Sequence, residues 1–535
     1  MVYKRHRTLD MIVMTDIETR LSKIKRIDVT PDLSSLGDSE YQALMHCLHA
    51  ARLISAVYRK QAWKDSTGLA CDISKRTDEQ GQKLYDFMCI HGDPWDSADE
   101  FTSFVPGYDV SRPPGAAHYP SDITEEEWSA HLEDNPNDRE AFESPNTLIV
   151  RNQDSLLAVP YSNAYLRDLK EADTYLRAAA DMLGEGPLKT YLEHRSRELI
   201  SNNYWYGDVA WVATTGMPFE INIGPYEVHR DLFMGLKAGF QAFIGIKDEE
   251  TTKFFENLVP YALEFDRNLA QSHGFTPRGT SIPMVVVHDV FRGGELAFGR
   301  QFTAQNLPND RRIHKMVGSR KVFSRLMLDA KPEYILQPIA ERLFPSHAVP
   351  YCTPRAFRLL IGAHEVAHGM GPTEVAGEAE HVEVRSRLKK YHTIIEEGKA
   401  DVLGIDLLIY CRYREYITEE DLRDVVWTLF TLYFSDFKRG FKGHGGGSLV
   451  QYNWLRSRHG FSYDCDTGKL DVDVSRTIEV LRELADEFMS IQSAGDIDRA
   501  ASFLEGHSIV PFSIPEMLQV IEDVPLDVHP TFHIT

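Results

Sequence analysis

His364, Glu365 and His368 stand in the run Ala-His-Glu-Val-Ala-His-Gly, a set of residue types and spacings suited to metal-assisted hydrolysis. Two histidines four apart on a helix project from one face, about one turn apart, so both imidazoles can reach a single Zn²⁺. The glutamate beside them sits where it can take a proton from water polarised by that ion. A surface helix with two solvated histidines would carry the same five residues, but the context argues against it. Leu359, Leu360 and Ile361 make the preceding turn apolar, and Gly369 with Gly371-Pro372 stops the helix. Thr353-Pro354 starts it, threonine as the cap and proline at the first helical position.

A hydrolytic zinc site needs a third protein ligand and an open position for water. The run His392-Thr-Ile-Ile-Glu-Glu-Gly-Lys-Ala-Asp401 supplies candidates on the next predicted helix. Glu396 and Glu397 are adjacent and so point in different directions, which lets only one of them reach the ion. Asp401 shares a face with Glu397 and can hydrogen-bond a ligating imidazole from behind. Spacing leaves Glu396, Glu397 and His392 all open as the third donor. Gly398 and Gly404 each cost about 1 kcal/mol inside a helix, a cost explained if two helices must approach closely around an ion.

The rest of the chain has to position these groups. At 535 residues it exceeds what one hydrophobic core usually supports, so two or more lobes are expected. The formal net charge of -22 argues against nucleic-acid binding and favours cationic ligands. Cys47, Cys71, Cys89, Cys352, Cys411 and Cys465 form no CxxC pair, which excludes a thiolate metal site or a disulfide framework as the organising device. The apolar stretch Met11–Met14 is too short for a signal peptide, and no run approaches a membrane span. A cytoplasmic location is the expectation.

Tyr41–Trp63 carries apolar residues at helical spacing. The stretch from Gly92 to Asn146 is rich in Pro, Gly, Asp and Ser and reads as irregular, interrupted by one helix begun at Thr124-Glu-Glu-Glu-Trp128. Thr147–Arg151, Ser155–Val159, Val209–Thr214, Glu220–Ile223 and Ser281–His288 read as extended. After Cys352 the pattern is almost wholly helical. The fold class is therefore α+β, with residues 1–345 forming mainly a mixed substrate-binding lobe. Residues 346–510 form a mainly helical zinc lobe, and 511–535 a C-terminal segment.

The pair His-Glu-x-x-His-Gly and Glu-Glu-Gly-Lys-Ala-Asp resembles the dipeptidyl peptidase III family of zinc peptidases, closest to its shorter bacterial and fungal relatives. The longer members have HExxGH and Glu-Glu-Cys-Arg-Ala-Glu, and their second glutamate, here Glu397, is the zinc ligand. The resemblance leaves Glu396 with Asp401 as support behind the ligands. It extends from roughly Tyr41 to Gly506. Ile223-Gly-Pro-Tyr-Glu-Val-His-Arg-Asp231 is similar to the segment that supplies substrate contacts, among them Tyr226 and the amine-binding Glu227. Asn306-Leu-Pro-Asn309 is similar to the strand along which peptide adds by backbone pairing. His444, in Lys-Gly-His-Gly-Gly-Gly, corresponds to the histidine that stabilises the oxyanion.

Two positions depart from the family pattern. The catalytic tyrosine falls at His229, and an arginine four residues beyond the oxyanion histidine falls at Ser448. Taken singly, Glu227 would be a salt-bridging residue, Asn-Leu-Pro-Asn a turn and His444 a loop histidine; their occurrence together in family order gives them roles. The resemblance implies two lobes around a wide cleft, the mixed lobe having a β-sheet or barrel core. It also implies one Zn²⁺ per chain on His364, His368 and Glu397, with Glu365, His444 and His229 catalytic. The expected substrate is a short peptide that loses its N-terminal dipeptide. Two alternatives differ in class: the same zinc site acting on a small non-peptide molecule, and a binding protein without turnover, against which the intact Glu365 argues.

Overall fold

The structure is a computed structural model that describes residues 17–108, 110–153, 155–277, 283–377 and 382–534. Met11–Met14 lies outside the described residues. The chain forms two compact units that are interleaved in sequence. One holds the described residues up to Asp248, together with Val285–Arg325 and the chain from His529; the other holds Glu249–Met284 and Leu326–Val528.

The first unit is mixed. Helix α1 (Asp38–Ala62) begins where the Gly37 amide donates to Glu40, 2.9 Å away. It buries Leu44, Cys47, Leu48, Ala51, Ile54 and Tyr58, the helical spacing read from the sequence. It packs on α2 (Leu166–Met182), which packs in turn on α3 (Pro187–Ser201). The same core includes a five-stranded sheet of β1 (Glu220–Glu227), β2 (Gly239–Lys247), β3 (Met284–Gly294), β4 (Ala304–Leu307) and β5 (Arg320–Ser324). The strand order is β1-β2-β3-β5-β4, with antiparallel pairing of β1 to β2, β2 to β3 and β4 to β5. Ser281 and Ile282 of the expected third strand lie outside the described residues. The sheet curls so that its two outer strands come together beyond β4, where the Asn309 amide donates to the Tyr226 carbonyl at 2.8 Å.

Val209–Thr214 is not extended. Most of it belongs to helix α4 (Trp205–Ala213), which packs on α3. Asp208 on this helix accepts from the buried Arg195, and the Trp211 indole donates to Glu220. These buried polar contacts outweigh the strand preference of Val, Trp and Thr, a tertiary override of local propensity.

The second unit is mostly helical: α5 (Val259–His273), α6 (Pro354–Ala367), α7 (His392–Tyr413), α8 (Glu419–Phe437), α9 (His444–Ser457) and α10 (Val474–Ala494). Thr353 caps α6 through the Ala356 amide, at 3.1 Å, and Pro354 occupies the first helical position, as the sequence predicts. The apolar residues of α7 run around most of its circumference because it is the central helix, in contact with α5, α6, α8, α9 and α10. The hairpin Phe461–Asp464 with Lys469–Val472 interrupts the helical pattern. No helix among the described residues is long and apolar enough to cross a membrane.

Candidate metal centre

Helix α6 delivers His364 and His368 with their Nε2 atoms 3.1 Å apart. From α7, Glu397 Oε2 lies 3.7 Å from His364 Nε2 and 3.8 Å from His368 Nε2. Tetrahedral coordination at about 2.0–2.1 Å places donor atoms about 3.3 Å apart, so this triangle matches one ion. Among the described residues these three form the one group of His, Cys, Asp or Glu side chains arranged to hold a metal. Glu397 Oε2 is buried and faces both imidazole Nε2 atoms, with His444 Nδ1 2.9 Å away on the other side. The donor set suits a divalent transition metal.

Close helix packing makes this possible. A Cβ on Gly404 of α7 would lie 2.9 Å from the His364 nitrogen and 3.0 Å from the Ala363 carbonyl carbon. The two backbones touch there, which is the close approach that its glycine implies. Gly447 of α9 meets the Gly398 backbone of α7 in the same manner.

Each histidine is held from behind. His364 Nδ1 is 2.7 Å from Asp401 Oδ1; Asp401 Oδ2 accepts from Gln451 at 2.7 Å, and Gln451 accepts from the Tyr433 hydroxyl at 2.9 Å. His368 Nδ1 is 3.0 Å from Glu396 Oε1, whose other oxygen accepts from Gln492 at 2.8 Å. Such outer carboxylates fix the imidazole tautomer and turn its second nitrogen toward the ion. Burial disfavours a charged His364, but Asp401, with Glu365 and Glu397, raises its pKa to about 9. Burial pushes the Glu397 carboxyl up, and its contact with His444 and the imidazole charges pull it down to about 2. Burial also opposes ionisation of Glu396, yet the Lys399 charge and His368 hold it well below the usual carboxylate range.

Of the three candidate third donors, the structure brings Glu397 to the imidazoles. Glu396 faces the far side of His368, and His392 stands outside the group. Glu365 is half-buried beside His364 on α6. His444, at the first turn of α9, lies with Nδ1 2.9 Å from Glu397 Oε2, an ion-pair distance. That contact outweighs burial and raises the His444 pKa above the ordinary histidine value. Ser448 is buried and donates to Asp436 at 2.9 Å. Gln451, Gln492 and Tyr433 are functional neighbours that sequence reasoning missed, because no local spacing connects them to the motif.

The remaining predicted residues belong to the mixed unit. Glu227 ends β1 just past a bulge between Pro225 and Glu227, where an irregular pairing can re-aim a side chain. Its Oε2 lies 3.3 Å from Nδ1 of His229, an exposed imidazole. Asn306 sits on the outer strand β4 with a buried Oδ1 that has no hydrogen-bond partner among the described residues. The structure places the Tyr226 side chain inside the mixed unit. It is buried, on the same face of β1 as Asn222 and Gly224, with its hydroxyl donating to Asp208 at 2.6 Å. Asn309 is engaged with the Tyr226 carbonyl.

Residues 161–420 match peptidase family M49. The structure of DPP III from Caldithrix abyssi is similar with a TM-score of 0.92 at 30% identity, over 96% of this chain and 98% of that one. The structure of dipeptidyl-peptidase III from Corallococcus sp. strain EGB is similar with a TM-score of 0.83 at 28% identity, covering 97% of each chain. Nudix hydrolase 3 of Arabidopsis thaliana is 26% identical over 96% of this chain and 74% of that protein. A two-unit α+β chain with a His/His/Glu donor set thus defines a metallopeptidase class. The chain belongs to peptidase family M49, the dipeptidyl peptidase III family.

Proposed function

We propose that this peptidase is zinc-dependent and removes dipeptides from the N-termini of short peptides. The observation that carries the reading is the triangle of His364, His368 and Glu397 donor atoms with Glu365 beside it. The two-histidine, one-glutamate set is that of hydrolytic zinc sites with a position left open. When bound, Zn²⁺ would supply Lewis acidity toward both a water molecule and the scissile carbonyl. Glu365 takes the proton of the attacking water and passes it to the leaving amine. His444 donates to the developing oxyanion, a contact of a kind worth about 3–4 kcal/mol, and the exposed His229 is a second donor candidate. Glu227 receives the free amine of the peptide, and Asn306 offers its unpaired carbonyl oxygen to substrate. Six free thiols support a reducing, cytoplasmic setting.

Glu365→Gln tests this chemistry. Zinc content should stay at one per chain while cleavage of dipeptidyl arylamides falls by about a hundredfold to ten-thousandfold. Full activity in that variant would remove Glu365 from the mechanism.

A second reading keeps the zinc and changes the substrate to a small non-peptide molecule. It rests on His229 and Ser448, which depart from the family pattern, and on a relative that carries the name of another hydrolase class. Zinc-dependent cleavage of any dipeptidyl arylamide in a broad panel would decide for the peptidase.

A further inference from the structure

The α6 helix ends at Ala367, and the turn after it closes back on its last carbonyls, the Gly369 amide donating to Val366 O at 2.8 Å and the Met370 amide to Ala367 O at 3.0 Å. Two carbonyls at this end accept from one side chain on α7: Lys399 Nζ lies 3.1 Å from Ala367 O and 2.9 Å from Met370 O. The same ammonium stands 2.9 Å from Glu396 Oε1, the oxygen that holds His368 Nδ1. Lys399 is only 1% exposed. An ammonium presents three N–H groups in a tetrahedral array, and here one of them falls to each acceptor. On the far side of the turn the Gly371 amide donates to Asp266 of α5 at 2.9 Å. Gly371 adopts φ +82°, and a Cβ there would press on the Met489 sulfur. The segment that carries His368 is therefore gripped by α7 through Lys399 and by α5 through Asp266.

From this geometry we infer that Lys399 is a positioning residue of the metal centre. It holds the end of α6 and the Glu396 carboxylate in one grip, so that the backbone and the ring of His368 are fixed by the same cation. It also balances the second of two adjacent carboxylates, which lets Glu396 stay behind His368 while Glu397 faces the ion. The consequence is that Lys399 governs how fast the ion leaves. The inference rests on His368 being a ligand, as proposed above.

A buried helix cap with no bearing on the metal is the competing account, and zinc release separates the two. Full-length protein loaded with Zn²⁺ is mixed with excess chromogenic chelator, and thermal melting of the metal-free form is followed in parallel. Lys399→Met should release zinc about ten to a hundred times faster than the unaltered chain, the range expected when support behind a ligand is lost. Lys399→Arg, which keeps the charge, should recover most of that loss. Release from Lys399→Met within twofold of the unaltered rate, whatever happens to the metal-free melting temperature, overturns the inference. If Lys399→Met does not fold, the charge-neutral pair Lys399→Met with Glu396→Gln decides, with the same acceleration expected and an unchanged rate fatal. Failure of the unaltered chain to take up one Zn²⁺ would instead defeat the zinc reading, and the role of Lys399 with it.

Discussion

Glu397 and Glu227 are both carboxylates paired with a histidine, yet the protein holds them by different means. Glu397 stands in the second turn of α7, and its partner His444 arrives at 2.9 Å on a helix packed backbone to backbone through glycine. Around it, side chains from α6, α7, α8, α9 and α10 form a continuous set of hydrogen bonds. Glu227 stands at the end of a strand, past a bulge, 3.3 Å from an imidazole that is 76% exposed. Its neighbourhood is fixed by the Tyr226 hydroxyl on Asp208 and the Asn309 amide on the Tyr226 carbonyl. An ion needs several donors set at once to a fraction of an ångström, which a helical network provides. The peptide ammonium proposed for Glu227 would need one accessible carboxylate, which a strand end provides at lower cost.

The comparison can be broken most severely at Glu397. Glu397→Ala should reduce zinc from one per chain to near zero and abolish peptide cleavage, as read by metal analysis beside an activity assay. Stoichiometric zinc in that variant would assign the third ligand elsewhere. Glu227→Gln should leave zinc untouched and lower kcat/KM for peptides with a free amine by roughly 10- to 150-fold, the worth of one hydrogen bond to a charged group. N-acetylated peptides should not feel the change, and an equal loss on both substrates would remove the amine from the role of Glu227. The smallest effect belongs to Asn309→Ala, which deletes one neutral hydrogen bond worth about 1 kcal/mol. It should raise KM a few-fold and leave zinc release unchanged; a change in zinc release would show that the two regions are not independent.

Much of the metal group was legible because a helix repeats every 3.6 residues, so His364 with His368, and Glu397 with Asp401, declare shared faces, while the choice of Glu397 over Glu396 and His392 came from the family resemblance. The glycines of α7 were legible for a related reason, since a residue unfavourable to helices demands a packing explanation. Lys399, Gln451 and Gln492 were not, because each acts on a residue of another helix or through the end of one, where no period points. The burial of the Tyr226 ring was not legible from its neighbours in sequence, because β1 is buried on both faces and alternation does not mark an outer side. Val209–Thr214 shows the same limit at the level of secondary structure, since buried partners of Asp208 and Trp211 chose the helix.

The contact at Gly404 bears on the order in which the protein is assembled. Where α6 crosses α7, backbone lies against backbone, so packing itself holds the two helices close. Small zinc domains that lack such a core fold only as the metal arrives. A donor triangle set by such packing would instead take up its ion late, in a chain already folded. A finished site ranks divalent ions by its own chemistry, and because nitrogen ligands favour copper over zinc in intrinsic affinity, the ion it acquires is set by what the surroundings make available.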